Sequence, residues 1–328
     1  MSYQKELAVA KRAVILASRL CEDVRQALLT SKDTLTMTKT DRTPVTIADY
    51  GSQAIICKML RNDFPNDPVV AEEDASDLRL PAQKDQLRQI TEYVNKAVAR
   101  SSVGSSSGVQ PNDLLDWIDF GDGDVDPTLR RFWTLDPIDG TKGFLRGDQY
   151  AICLALIEEG EVKIGILGCP ALELDGSVGH LFSAERGKGC SQESLLDSDD
   201  NEQSKTVRVS HDSKSMMQSF EASHSNHSTQ EHVAKQIGLE NIIRMDSQAK
   251  YAMVASGHAS LYLRLSDYKQ NIWDHAAGTI VVQEAGGKVS DRNGKPLNFC
   301  VAKRMNENDS VLVSNGRIHE EVLTALQE

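Results

Sequence analysis

The sequence holds 328 residues, 40% of them apolar and only 5% aromatic, with a formal net charge of −12. That length suits one large domain or two smaller ones packed together, around a core built mainly from aliphatic side chains. The acidic balance excludes a sequence-independent nucleic-acid binder, which needs a basic footprint, and leaves an anionic small molecule open if metal ions reverse the local sign.

Leu7, Ala10, Val14, Ala17, Cys21, Val24 and Leu28 recur at steps of three and four and predict a helix over 4–29. Lys11, Arg12 and Arg19 break its apolar stretches, and Glu6, Glu22 and Asp23 are acidic, so this segment reads as neither a secretory signal nor a transit peptide. Pro44 and Thr46 open a second predicted helix over 45–64, which ends at the turn Phe64-Pro65-Asn66-Asp67-Pro68. Val69-Val70-Ala71 reads as a strand feeding the acidic run Glu72-Glu73-Asp74, and 84–99 as another helix. The Ser/Gly-rich stretch 101–112 is expected to be a surface loop. A strand over 131–135 runs into Asp136-Pro137-Ile138-Asp139-Gly140. Strands over 150–158 and 162–167 flank Glu159-Gly160-Glu161 as a hairpin. The polar, acidic segment 191–205 is expected to be a loop.

Beyond it, helices are expected over 228–237, 250–256, 276–285 and 320–327, with strands over 260–264 and 311–313. Gly286-Gly287 is a fitting stop for the third of these helices. This order predicts an α+β front half, 1–168, and an α/β back half, 169–328, with the boundary somewhere in 168–206. No apolar run reaches the 18–20 residues or so that a membrane span requires. The six cysteines at 21, 57, 153, 169, 190 and 300 form no Cys-x-x-Cys pair. They predict reduced thiols and a cytoplasmic setting, with Cys153, Cys169 and Cys190 idle and buried rather than a redox device.

Four acidic positions stand apart because they follow apolar segments. Glu72 follows a strand, where a carboxylate is aimed beyond the sheet edge. Asp136 and Asp139 flank Pro137-Ile138 in the run Trp133-Thr134-Leu135-Asp136-Pro137-Ile138-Asp139-Gly140-Thr141-Lys142-Gly143. Pro137 stiffens the backbone, Gly140 permits a tight turn, and the loop gathers two carboxylates, a carbonyl and a hydroxyl, the oxygen donors that Mg2+ prefers. Asp274 sits at an expected helix start, where it could cap and also ligate a metal. Asp49 lies one turn inside the helix opened by Thr46. Asp122-Gly123-Asp124-Val125-Asp126 begins like a calcium loop, but Pro127 stands where glycine is needed. His224-Ser225-Asn226-His227 lacks the cysteine partners of a zinc site.

Taken together, Glu72-Glu73, Asp136-Pro137-Ile138-Asp139-Gly140-Thr141 and Trp273-Asp274 with Ala277-Gly278 resemble the signature of the lithium-sensitive, magnesium-dependent phosphatase superfamily that includes inositol monophosphatase. Gly140-Thr141-Lys142-Gly143-Phe144-Leu145-Arg146-Gly147, Asp246-Ser247-Gln248-Ala249-Lys250-Tyr251 and Tyr262-Leu263-Arg264-Leu265 resemble its 3′(2′),5′-bisphosphate nucleotidase branch.

The resemblance implies a two-domain, layered αβαβα sugar-phosphatase-like fold. It implies hydrolysis of 3′-phosphoadenosine 5′-phosphate to AMP and phosphate, action on the sulfated nucleotide, and sensitivity to Li+ and Na+. It places two or three Mg2+ on Glu72, Asp136, the Ile138 carbonyl, Asp139 and Asp274. Water activation falls to Asp49 with Thr141, and substrate contacts to Thr141, His224, Ser247, Lys250, Arg264 and Asp274. It implies a small-molecule substrate, no nucleic acid, no membrane and a monomer. An inositol polyphosphate 1-phosphatase or inositol monophosphatase shares the metals and differs in the pocket. A non-catalytic metal- or nucleotide-binding sensor would bind nucleotide without releasing phosphate.

Overall fold

A computed structural model describes residues 2–30, 36–38, 44–100, 108–195, 204–221, 226–266 and 268–327. The chain opens with helix α1 (Gln4–Thr30), followed by a two-stranded antiparallel ribbon of β1 (Thr36–Thr38) and β2 (Pro44–Thr46), then α2 (Ile47–Asp63) and β3 (Val69–Ala71). Helices α3 (Lys84–Ala99) and α4 (Pro111–Asp119) precede β4 (Arg131–Asp139), the short helix α5 (Thr141–Arg146), and a meander of β5 (Ala151–Glu158), β6 (Glu161–Leu174), β7 (Ser177–Glu185), β8 (Gly189–Ser194) and β9 (Lys205–Val207). The back half runs β10 (Ser215–Ser219), α6 (His227–Gln236), β11 (Asn241–Met245), α7 (Ala249–Ala255), β12 (Leu261–Arg264), α8 (Ala276–Glu284), β13 (Lys288–Ser290), β14 (Val311–Ser314) and α9 (His319–Ala325).

Among the described residues, β3 to β9 form one seven-stranded sheet in chain order. The second, five-stranded sheet has the order β11-β10-β12-β14-β13. Successive side chains on a strand point to opposite faces, so burial along each strand reveals the layers. On β5, Ile152, Leu154 and Leu156 join a core with Val14, Ala17 and Cys21 of α1 and Ile55 and Ile56 of α2. The intervening Ala151, Cys153, Ala155 and Ile157 face a second core with Tyr251 of α7 and Ile280 of α8. That second core also takes Met217, Tyr262 and Val313 from one face of the five-stranded sheet. The opposite face of that sheet, Met216, Leu261, Leu263 and Leu312, packs with Val233 of α6 and Val322 of α9. The layers are therefore helix, sheet, helix, sheet, helix, the αβαβα arrangement that the resemblance implies. Every residue of α8 from Ala276 to Val282 is buried, as a helix held between two sheets must be.

Several local expectations are corrected. The strand expected over 162–167 is longer, Glu161–Leu174, and the first sheet continues to Val207 before the second begins at Ser215. Ser191–Ser194 belong to β8 rather than a loop, because backbone pairing to β7 and β9 needs no apolar pattern. Pro111 and Asn112 begin α4, capped reciprocally by Gln110 and Asp113, instead of ending a loop. His224 and residues 101–107 and 196–203 lie outside the described residues.

Among the described residues no helix is long and apolar enough to cross a membrane. All six cysteines are free thiols. Burial pushes the Cys153 and Cys169 thiols up, and that of Cys190 up to about 12, so these thiols stay protonated at neutral pH.

Candidate active site

A single turn of α2 organises two of the acidic segments. Gln53 grips the chain after β3, accepting from the Glu73 N–H at 3.1 Å while its amide donates to the Glu73 carbonyl and, at 3.0 Å, to that of Ile118. This fixes the strand exit that carries Glu72 to the rim of a cleft. Its neighbour Ser52 donates to the Pro137 carbonyl at 3.0 Å.

Pro137 stands in a β-bulge. Asp136 pairs with Cys153 and Asp139 with Ala151, so three steps along β4 match two along β5. In a regular strand, residues three apart point to opposite faces. The extra residue turns Asp139 to the side of Asp136, and proline suits the bulge because it has no N–H to leave unpaired. Gly140 then adopts a left-handed φ of 90° that starts α5. At Gly143 a Cβ would meet the Gln149 carbonyl at 2.2 Å and Asp246 at 2.7 Å, so only glycine lets α5 lie this close to its neighbours.

Asp274 arrives from the other side, at the end of a short turn before α8. It does not cap α8. One of its oxygens accepts from the Asn271 N–H at 2.8 Å, closing its own turn. The ligand oxygens of Asp136, Asp139 and Asp274 all lie within 4.8 Å of one another. Glu72, Ile138 and Thr141 line the same cleft.

Like charges at this separation repel by about 3.5 kcal/mol per pair at an effective dielectric near 20. Burial raises Asp136 well above the usual carboxylate range, and the charges of Glu72, Asp139, Asp274 and Asp49 add to the effect. Burial lifts Asp139 to about 6, against the opposing pull of Lys250. One oxygen of Asp136 is buried with no hydrogen-bond partner. An orphaned carboxylate oxygen beside two further carboxylates is the donor set of a hard divalent cation, so the residues present fit Mg2+.

The opposite wall is cationic. Arg264 lines the cleft, and its Nε is buried without a partner. Lys250 is buried too. Its ammonium donates to the carbonyls of Met245 at 3.0 Å and Ser247 at 2.6 Å, and burial pulls it down to about 8 although Asp139 favours its charged form. These bonds brace the turn in which Ser247 holds a left-handed φ of 65°. Its hydroxyl accepts from the Ala249 N–H at 3.1 Å.

The structure thus brings Glu72, Asp136, Ile138, Asp139, Thr141, Ser247, Lys250, Arg264 and Asp274 to one cleft. Asp49 is not in its lining. It is buried at the start of α2, and its charge reaches Asp136. The Thr141 hydroxyl donates to the Ile138 carbonyl at 3.3 Å. Sequence reasoning missed Ser52, Gln53 and Gln248, and the rim residues Ser219, Glu221 and Asp246. Asp246 and Gln248 lay in a segment already singled out for Ser247 and Lys250.

Residues 3–328 match the model of the inositol monophosphatase family. The chain is 41% identical to the 3′(2′),5′-bisphosphate nucleotidase of Schizosaccharomyces pombe, across 99% of this chain and 96% of that one. It is 43% identical to 3′(2′),5′-bisphosphate nucleotidase 1 of Arabidopsis thaliana, across 87% and 85%. Among solved structures, an IMPase of Thermotoga maritima superposes with a TM-score of 0.65 at 23% identity, covering 98% of this chain and 97% of that one. At that identity the likeness speaks for the fold alone.

Proposed function

We propose that this chain, which belongs to the inositol monophosphatase family, is a magnesium-dependent 3′(2′),5′-bisphosphate nucleotidase that hydrolyses the 3′-phosphate of 3′-phosphoadenosine 5′-phosphate. The observation that carries this reading is the meeting of Asp136, Asp139 and Asp274 with Glu72 in a cleft whose far wall is Arg264 and Lys250. A bisphosphate needs both halves: an acidic half for cations beside the phosphate that is cut, and a basic half for the one that is kept.

Glu72, Asp136, Asp139, Asp274 and the Ile138 carbonyl would hold the ions. When bound, Mg2+ supplies charge neutralisation and a more acidic water. The chain's own groups do the rest. Thr141, with its hydroxyl proton directed at the Ile138 carbonyl, keeps lone pairs to accept a hydrogen bond from the attacking water. Asp49, buried behind, adds negative potential that draws the water's proton toward the chain. Water adds to phosphorus, the bond to the 3′ oxygen breaks, and that oxygen takes a proton, giving AMP and inorganic phosphate. Arg264 and Lys250 bind and orient the 5′-phosphate. Ser247 and His224 would contact the nucleoside, and the sulfated nucleotide fits the same basic wall. Free thiols fit a reducing, cytoplasmic setting.

The test is phosphate release from adenosine 3′,5′-bisphosphate, with and without Mg2+, beside inositol 1-phosphate and inositol 1,4-bisphosphate. The reading expects Mg2+-dependent release that prefers the nucleotide. Preference for an inositol phosphate, or nucleotide binding with no release, overturns it.

A further inference from the structure

Gln248 joins the two halves of the cleft. It is 2% exposed, and all its polar atoms are engaged. Its backbone N–H donates to the Asp139 carboxylate. Its side-chain amide donates to the Trp273 carbonyl at 2.8 Å, the peptide that leads directly into Asp274. The same amide accepts from the Gly278 N–H at 2.9 Å. That N–H lies in the first turn of α8, where no intrahelical acceptor exists, and His275 makes no side-chain cap there.

Asp139 and Asp274 come from segments 135 residues apart, one on a strand of the first sheet and one at the entrance to the helix between the sheets. Their carboxylates repel, so a separate bond must hold them at ion-binding distance. An amide can do this where a charged side chain cannot. It donates on one side and accepts on the other, satisfying a carbonyl and an N–H at once, and it adds no charge to the cluster.

We infer that Gln248 is a positioning residue whose side-chain amide sets Asp274 against Asp139 and so fixes the spacing of the ion-binding carboxylates. This rests on the reading of the cleft as a divalent-cation site. Partners that orient metal ligands typically change metal affinity by about 10–100-fold when removed.

The probe is Mn2+ binding to the substrate-free protein, followed by the electron paramagnetic resonance signal of the free ion, together with the metal-free thermal midpoint. Gln248→Met keeps the volume and the backbone bond to Asp139 and loses both side-chain bonds. Its Mn2+ affinity should fall about 10–100-fold. Gln248→Asn keeps the amide but is one methylene too short to span both partners, and should fall in the same direction. Asn315→Leu is the control. It removes a buried amide that donates to Ser210 and Ser260 away from the cleft, and should lower the thermal midpoint while leaving Mn2+ affinity unchanged. Wild-type Mn2+ affinity in the folded Gln248 variants overturns the assignment, as does an equal loss in Asn315→Leu. A wild-type chain that binds no Mn2+ overturns the cation-site reading itself.

Discussion

The hydroxyl of Ser52 donates to the carbonyl of Pro137 at 3.0 Å, so α2 holds the bulge that turns Asp136 and Asp139 to one side. Ser52 is wholly buried and touches neither ion nor substrate in this account. Ser52→Ala should cost about 1 kcal/mol of stability, the ordinary worth of one hydrogen bond. Turnover should fall by more than that loss explains, about tenfold, because the bulge relaxes. Urea denaturation and turnover at saturating Mg2+ measure the two effects separately, and unchanged turnover counts against Ser52 as the holder of the bulge.

The acidic cluster trades stability for ion binding. Asp136→Asn keeps the shape and removes one of the mutually repelling charges. In metal-free buffer the variant should be more stable than wild type, by about 1–3 kcal/mol out of a ceiling near 3.5 per pair. With Mg2+ its turnover should drop at least 100-fold or so, since a ligand charge is gone. Chemical denaturation in chelator, followed by the phosphate assay, reads both. A variant less stable than wild type without metal would show that the carboxylates are not in conflict.

The unpartnered Nε of Arg264 is read here as a donor for the phosphate that is kept. Arg264→Ala should raise KM for adenosine 3′,5′-bisphosphate by about 10–100-fold, the loss of a charge-assisted hydrogen bond worth roughly 1.5–3 kcal/mol. KM for adenosine 3′-monophosphate should change much less. Equal effects on both substrates would assign Arg264 to the phosphate that is cut.

His319, on α9, is fully buried between the Ser290 and Ser314 hydroxyls at 2.9 and 2.8 Å. Burial, with Lys288 nearby, pushes it down to about 4, although Glu320 pulls the other way. The unfolded chain binds a proton at 6.5 and the folded chain only near 4, so the unfolded state carries more protons between these values. Stability from this group is therefore full above 6.5 and declines as pH falls toward 4. The urea midpoint should fall from pH 7.5 to 5, and His319→Gln should flatten that part of the slope. An identical pH profile in the variant would remove His319 as its source.

Much of this arrangement was readable from short stretches of sequence. The helix over 84–99 is found between those same residues, because its apolar positions repeat at helical spacing and it packs on one face. The run from Trp133 to Gly143 disclosed a rigid two-carboxylate loop, since proline and glycine act on their own backbone whatever surrounds them. What it did not disclose was the bulge, which exists only against β5. Asp274 was read at a helix start, where it could cap as well as ligate a metal, and instead closes the turn before α8, which only the packed chain decides. Gln53 left no signal at all, and Gln248 none beyond its place in a segment singled out for Ser247 and Lys250. Their partners are 20 to 109 residues away, and an isolated glutamine shows no period and no charge. Strands β10 and β11 were overlooked because their pairing is parallel and their neighbours are distant in the chain.

The most direct test of the central claim is anomalous diffraction from crystals of the protein soaked in Mn2+. The account predicts at least two strong anomalous peaks, each within about 2.5 Å of carboxylate oxygens drawn from Glu72, Asp136, Asp139 and Asp274. Well-ordered crystals with no peak in the cleft, or with peaks only at acidic groups elsewhere on the surface, would contradict it.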